Sequence, residues 1–483
     1  MALHSKYNPY GEAERFVDHI SSSPSYIVIT EPGESYTAKA FRKKFPDACL
    51  IAIRYTDNLF LSTDILWDYV YRPVNGNLAF FLLNIIPDTY FGNTLFLTWK
   101  PADITWPKNA EATWKTIHNA IEIFKSLIYT RIAFGNTWFK NMCSNMLYAQ
   151  NICSVHVENQ DTIFVASGSS LENAISLLQE LKSPVLSSGS SYNALAFYGV
   201  PVAACISTDG GFWARSFLTS LCRSVPVFFP LESAIPKSVL QKNPLVFLSY
   251  GSELETFFFN SLKVPSIPAK RNGTVSGTAV ELLLQETTKH IYTFGLDLAA
   301  GASFSHARPH KSLDALYTST RLKNTAETIS SMQRFSTNSL SIYSSWFSTL
   351  KVEKASRIFR VGLNEDASHI PTIKSLSLQE CKNKYKENDT PFKLSFVPER
   401  SHAMRKSDLT DILDSFYSQI EQANLFENIE TKVLSSEQKR VQELIEFLAY
   451  SKLLVFIKER TKENESEVKN VCIQGLKKMR ERL

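Results

Sequence analysis

The stretch IFVASGSSLENAISLLQEL (Ile163 to Leu181) decides the fold. An apolar run stops at Ser167-Gly168-Ser169-Ser170, and apolar residues at Leu171, Ala174, Ile175 and Leu178 then follow at helical spacing. That is a strand, a tight turn and a helix. Toward the C-terminus the unit repeats. A second short strand ends at Ser188-Gly189-Ser190, and a third, VAACIST (Val202 to Thr208), stops at Asp209-Gly210-Gly211. NGTVSGTAVELLLQ (Asn272 to Gln285) reads as a helix with a Gly-rich start, and HIYTFGLDLA (His290 to Ala299) as the strand after it. Strands that end in Gly, Ser and Asp, each followed by a helix, build a doubly wound parallel sheet with a nucleotide site at its carboxyl edge. The expected fold class is therefore α/β, with a central Rossmann-like sheet.

Around this centre the organisation changes twice. SYIVIT, EPGESYTAKAFRKKF and ACLIAIRY (Ser25 to Tyr55) form one β-α-β unit. NLAFFLLNII and TLFLTWK read as further strands, and a helical tract runs from Ala110 to about Tyr148. Beyond Leu394 apolar residues recur at helical spacing, as in Leu409-Ile412-Leu413-Phe416 and Val441-Leu444-Ile445-Leu448. The expected domains are an N-terminal α/β domain (1–156), a central nucleotide domain (157–372) and a C-terminal helical domain (373–483). Helices are expected near Gly211 to Leu221 and Ser252 to Leu262, and a Ser/Thr-rich one from Asn324 to Leu350. At 483 residues several cores are needed, since a single one stops growing near ~250–300 residues.

Composition narrows the class. A net charge of +5 is mild, and no stretch interleaves basic and aromatic residues as a nucleic-acid groove does, so no nucleic-acid partner is expected. The seven cysteines lack paired metal spacing, which points to reduced thiols and no metal centre. The opening MALHSKYNPYGEAER is polar, and LAFFLLNII (Leu78 to Ile86) is far short of the ~20 residues that span a bilayer. A cytoplasmic protein with neither signal peptide nor transmembrane segment is expected. There is no GxSxG elbow and no Walker loop.

Several residues fit chemistry at the carboxyl edge. Gly168, Ser169 and Ser170 open a helix, where backbone N–H groups suit a phosphate; an ordinary strand-to-helix turn uses the same residues. Ser188, Gly189 and Asn193 mark the next strand end and suit ribose or base, although a Ser-rich loop explains each singly. Asp209 follows an apolar strand and precedes two glycines, a poor core residue and a good acceptor. Gly273, Thr274, Ser276 and Thr278 offer close approach and hydroxyls to a phosphate or carboxylated sugar; helix packing alone accounts for Gly277. Asp297 ends its strand, to orient a ligand or to cap the loop. His306, with an ordinary pKa near 6.5, suits proton transfer from a hydroxyl, against the alternative of a surface loop that carries two histidines. Arg308 and His310 share its loop, and Arg308 suits a phosphate or carboxylate.

Taken in order, Gly168-Ser169-Ser170-Leu171, Ser188-Gly189-Ser190, Ser207-Thr208-Asp209, Gly273 to Ala279, Gly295-Leu296-Asp297-Leu298-Ala299 and Ser305-His306-Ala307 resemble one family. It is the motility accessory factors, flagellin glycosyltransferases whose central domain is related to bacterial sialyltransferases and to hydroxymethylpterin diphosphokinases. HSKYNPYGEAER (His4 to Arg15) and RVGLNEDASHIPT (Arg360 to Thr372) extend the resemblance from residue 1 to about Thr372. The chain departs from the pattern in three places. Ser169 replaces a proline, Asn364 to Ser368 lacks paired glycines, and ITEPGESY keeps only Gly33 of an N-terminal Gly-rich loop.

The resemblance implies transfer of a nonulosonic, sialic-acid-like sugar from a CMP donor to Ser or Thr of flagellin. His306 would be the base and Asp297 the second catalytic residue. The Gly168 turn and the Gly273 helix start would hold the leaving CMP, and no metal or other cofactor would be required. It also implies flagellin binding through the flanking domains. Two alternatives stand beside it: a Mg²⁺-ATP-dependent pterin diphosphokinase centred on Asp209, and a non-catalytic flagellin-binding chaperone.

Overall fold

The computed structural model describes residues 3–299, 306–313, 346–398, 400–430 and 434–483, with residues 318, 320, 321, 325 and 344 between them. By contacts the chain forms two units. One comprises Met1–Gly135, Asn424–Val433 and Ile445–Cys472; the other comprises Asn136–Ala423, Leu434–Leu444 and Ile473–Leu483.

The first unit is built on a parallel sheet of β1 (Tyr26–Thr30), β2 (Cys49–Ile53), β3 (Tyr69–Tyr71) and β4 (Thr94–Thr98), ordered β3-β2-β1-β4. The β-α-β reading at Ser25 to Tyr55 holds, with the helix at Tyr36–Lys44. The reading of NLAFFLLNII as a strand does not. Asn77 caps a helix, Leu78–Ile85, by accepting from the Phe80 amide, and Leu78 and Leu82 are buried one turn apart. The loop after β1 is closed by Arg54, which follows β2, and by His4. Arg54, fully buried, donates to Glu31 Oε1 (3.1 Å), Gly33 O (2.8 Å) and Ser35 Oγ (2.9 Å), and the His4 ring lies on Gly33.

A 42-residue helix, Pro107–Tyr148, spans the expected helical tract. The second unit then opens with β5 (Cys153–Val157) and continues through a nine-stranded parallel sheet. Its strands are β6 (Thr162–Val165), β7 (Val185–Ser188), β8 (Val202–Ile206), β9 (Val227–Pro230), β10 (Leu245–Ser249), β11 (Ser266–Pro268), β12 (Ile291–Phe294), β13 (Ile358–Val361) and β14 (Lys374–Leu376). The order is β11-β10-β9-β8-β7-β6-β12-β13-β14. From β6 the chain steps outward one strand at a time to β11. The helix Val275–Glu286 then returns it to the far side of β6, where β12 pairs in parallel. That helix is buried from Gly277 to Leu284 and its Ala279, Val280, Leu282, Leu283 and Leu284 share a core with Phe164, Ala166 and Ile291, while the buried Glu281 pairs with Lys354 (3.0 Å). The expected doubly wound sheet is present, and its strand order reverses between β6 and β12.

β15 (Phe392–Phe396) pairs antiparallel with β5, and helices follow from His402 onward. The helix His402–Gln422 buries Leu409, Ile412, Leu413 and Phe416, and the Phe416 ring meets Phe257 and Phe258 of the helix Glu253–Leu262. The Ser/Thr-rich helix expected at 324–350 lies outside the described residues except for single positions and its last turn. Among the described residues no helix is long and apolar enough to cross a membrane. All seven cysteines are free thiols, five of them buried.

Candidate active site at the sheet switch point

Where strand order reverses, at the edge where doubly wound sheets bind ligands, the loops leaving β6 and β12 lie against each other, with the Gly168 amide donating to Gly295 O at 2.8 Å. Four sequence-predicted residues meet there. Asp297 is buried, and its Oδ2 accepts the Ser170 amide at 2.9 Å and the Ser169 hydroxyl at 3.4 Å. The Ser170 hydroxyl donates to Asp297 Oδ1. Gly168 is required at the point of closest approach. A Cβ there would lie 2.5 Å from both Asp297 Oδ2 and Gly295 O, and Gly295 itself has a positive φ of 63°. The carboxylate at this helix start is thus the protein's own, and Asp297 fixes the turn from behind.

Asp297 is held in its turn by a residue outside the predicted set. Arg360 on β13 is buried, and its guanidinium donates to Leu296 O (2.7 Å), Asp297 O (3.1 Å) and Ser368 O (2.6 Å). Burial pushes its pKa down to about 10, opposed by the Asp297 charge. Asn364, in the acidic loop singled out by resemblance, bonds Asn173 (2.7 Å) and Ser169 (3.4 Å).

In front of the turn stands His306. Its Nδ1 is 3.2 Å from Ser167 Oγ, which accepts from Ser190 Oγ at 2.9 Å. Ser190 meets Ser188 (3.1 Å), and Ser188 meets Ser191 (2.9 Å). Two strand ends and the His306 loop therefore share one chain of hydroxyls. His306 is half-buried and its pKa lies below the usual imidazole range, first because burial disfavours the charged ring; the Asp297 charge opposes this. His310 stacks on it with ring centres 4.3 Å apart, and burial, then the neighbouring His306, lowers its pKa to about 3. Among the described residues His310 Nε2 is buried without a partner. Arg308 clasps Glu172 through its side chain and amide, each contact at 2.9 Å. Ser305 lies outside the described residues.

The remaining predicted residues are distributed along the same edge. Gly189 is buried beside Leu218, and Asn193 accepts from Ser220 (2.5 Å). Asp209 is exposed and accepts from the Gly211 amide (2.9 Å). Gly273 has a positive φ, Thr274 caps the following helix through the Gly277 amide (2.9 Å), and Thr278 donates to Lys270 O (3.1 Å). Ser276 is half-buried. Next to them the sequence reading missed a polar cluster. Arg271 pairs with buried Glu232 (2.6 Å) and lies over the Tyr250 ring (4.9 Å), while burial, then the Glu232 charge, raises Glu255 to about 7. Residues scattered over several strand ends leave no local motif, so only the topology could have joined them.

This order of strands, with a serine and histidine cluster at its reversal, defines a doubly wound, Rossmann-like domain. Residues 136–302 match the family model described as 6-hydroxymethylpterin diphosphokinase MptE-like. Over 379 residues the chain is 33% identical to an uncharacterized protein of Treponema pallidum (strain Nichols), covering 78% of this chain and 83% of that one, and it belongs to the same family. The MAf glycosyltransferase from Magnetospirillum magneticum AMB-1 superposes with a TM-score of 0.50 at 11% identity, over the whole of this chain and 83% of that one. The fold that the resemblance to motility accessory factors implies is borne out by this neighbour and by the MptE-like centre.

Proposed function

We propose that this protein is a glycosyltransferase that moves a nonulosonic acid from a CMP donor to a Ser or Thr hydroxyl of flagellin in the cytoplasm. The observation that carries the reading is His306, an imidazole kept unprotonated by burial and bonded into the hydroxyl chain at the switch point. A neutral imidazole there accepts the proton of an incoming hydroxyl as the bond from the sugar's anomeric carbon to the phosphate breaks and that to the hydroxyl oxygen forms. Asp297 acts by positioning: it holds Ser169 and Ser170, and with them the Gly168 turn behind Ser167, the partner of His306. Asn193 and Asp209 would face the nucleoside from the same edge and Gly273, Thr274 and Ser276 from the next helix start, with the buried Ser188, Gly189 and Thr278 packed behind them. No step needs a metal. Flagellin isolated from cells with and without this protein, and compared by mass, tests the reading. A shift of one nonulosonic acid per site is expected only in its presence, and an unshifted flagellin that still binds the protein would leave the chaperone role.

The match of residues 136–302 to a diphosphokinase-like model favours a second reading, pyrophosphoryl transfer from Mg²⁺-ATP to a pterin near Asp209. Calorimetry separates the two: Mg²⁺-ATP binding without CMP binding selects the second.

A further inference from the structure

The helix that follows Asp209-Gly210-Gly211, Phe212–Phe217, presents its largest side chains to water. Ala214 and Leu218 are turned inward and buried, whereas Phe212 is 75% and Trp213 45% exposed. Leaving two large rings in solvent forfeits the burial that such residues ordinarily supply, so the arrangement calls for an occupant. The rings are not isolated. Phe212 meets Trp213 (centres 5.5 Å apart), Trp213 meets Phe217 (6.3 Å, planes 25° apart), Phe217 meets His310 (5.0 Å), and His310 stacks on His306. The exposed pair is the outer end of a line of rings that ends on the candidate base.

This outer end is firmly seated. The indole of Trp138 lies on Gly210, whose carbonyl accepts from Asn141 (3.1 Å), and Lys311 of the His306 loop bonds Thr219 (2.7 Å). Beside it stands Asp209, its carboxylate exposed and its carbonyl accepting from Ala234 (3.0 Å). Aromatic faces next to an acceptor-only carboxylate suit a flat ring that carries an amino group.

We infer that Phe212, Trp213 and Asp209 form the subsite for the donor's nucleobase and select a base with an exocyclic amine. The inference rests on the CMP-donor reading above and adds the residues that recognise the base. A cytosine stacks on one of the two rings, whose planes lie 71° apart, and donates an amino hydrogen to Asp209. A uracil presents a carbonyl oxygen to the same carboxylate and is repelled.

Calorimetry on the full chain with CMP and UMP tests it, using wild type, the Phe212→Ala/Trp213→Ala double variant and Asp209→Asn, with urea midpoints to check folding. Wild type is expected to prefer CMP. The double variant should lose roughly tenfold to a hundredfold in affinity for CMP, the worth of one stacked base. Asp209→Asn, whose amide both donates and accepts, should bring CMP and UMP closer together. Undiminished CMP affinity in the folded double variant overturns the inference while the donor reading stands. So does a double variant that keeps CMP affinity and loses only flagellin, which would assign the rings to the acceptor. Wild type that ignores CMP overturns the donor reading and the inference with it.

Discussion

The Ser170 amide donates to Asp297 Oδ2 at 2.9 Å, and both groups are buried. An acid that sequence reading assigns to ligand or loop is bonded to the first turn of the helix Leu171–Leu181. Replacing Asp297 with Ala orphans a buried amide and a buried hydroxyl, each costing about 1–3 kcal/mol. Asp297→Ala is therefore expected to lower the urea-unfolding free energy by about 2–6 kcal/mol and to weaken CMP binding, because the Gly168 turn loses its backing. Stability equal to wild type with unaltered CMP affinity would remove Asp297 from this role.

His306→Ala should reduce transfer about 10²–10⁴-fold while leaving CMP affinity near wild type, because a general base acts on the acceptor's proton. The pH profile carries a second sign. Burial lowers the His306 pKa, so the active, unprotonated form persists below the usual value of about 6.5. The rate should stay level as pH falls to about 6.5 and decline only on the acid side of that value. A single-turnover profile that falls well above pH 6.5, or a variant with the wild-type rate, would place the base elsewhere.

Strands followed by Gly, Ser or Asp were legible, as at β6, β7, β8 and β12, whereas β9 and β10, which the two-sided burial of a parallel sheet makes the unbroken apolar runs VFFP and LVFLS, have no such punctuation and are absent from the sequence reading. The run NLAFFLLNII misled because a single cap, Asn77, outweighed the appearance of a strand. His306, Gly168 and Asp297 were legible as strand-end punctuation. Their relationship was not, since 127 residues separate Ser170 from Asp297. Arg360 gave no signal at all: an Arg inside an apolar strand reads as an exposed position, and its three carbonyl partners are fixed only by the fold.

That Arg provides a test of the frame behind the site. Arg360→Met keeps the aliphatic stem and deletes the donors, leaving the carbonyls of Leu296, Asp297 and Ser368 without them. The Asp297 carbonyl keeps the Ser368 amide at 2.9 Å, so two carbonyls are left unpaired, and at about 1–3 kcal/mol for each a loss of at least about 2 kcal/mol is expected. Arg360→Lys should recover part of it, since an ammonium reaches fewer of the three. Urea midpoints of the two variants measure this, and equal midpoints for Arg360→Met and wild type would contradict the assignment.

His310 predicts how the protein meets acid. Burial, and then the adjacent His306, lower its pKa to about 3, whereas in the unfolded chain it returns to about 6.5. Between these values the unfolded chain binds a proton that the native state refuses. Stability is therefore fully present above about pH 6.5 and falls as pH drops toward 3, by about 1.4 kcal/mol per pH unit for each such proton. His306 contributes in the same direction over a smaller window and remains in place in the variant. His310→Phe keeps a ring between His306 and Phe217 and removes the titration. Urea unfolding of wild type and variant at pH 7.5, 6 and 5 should show curves that run parallel above pH 6.5. Below it the variant should lose stability less steeply. Identical slopes in that window would mean that His310 takes up its proton in the folded protein as readily as in the unfolded chain.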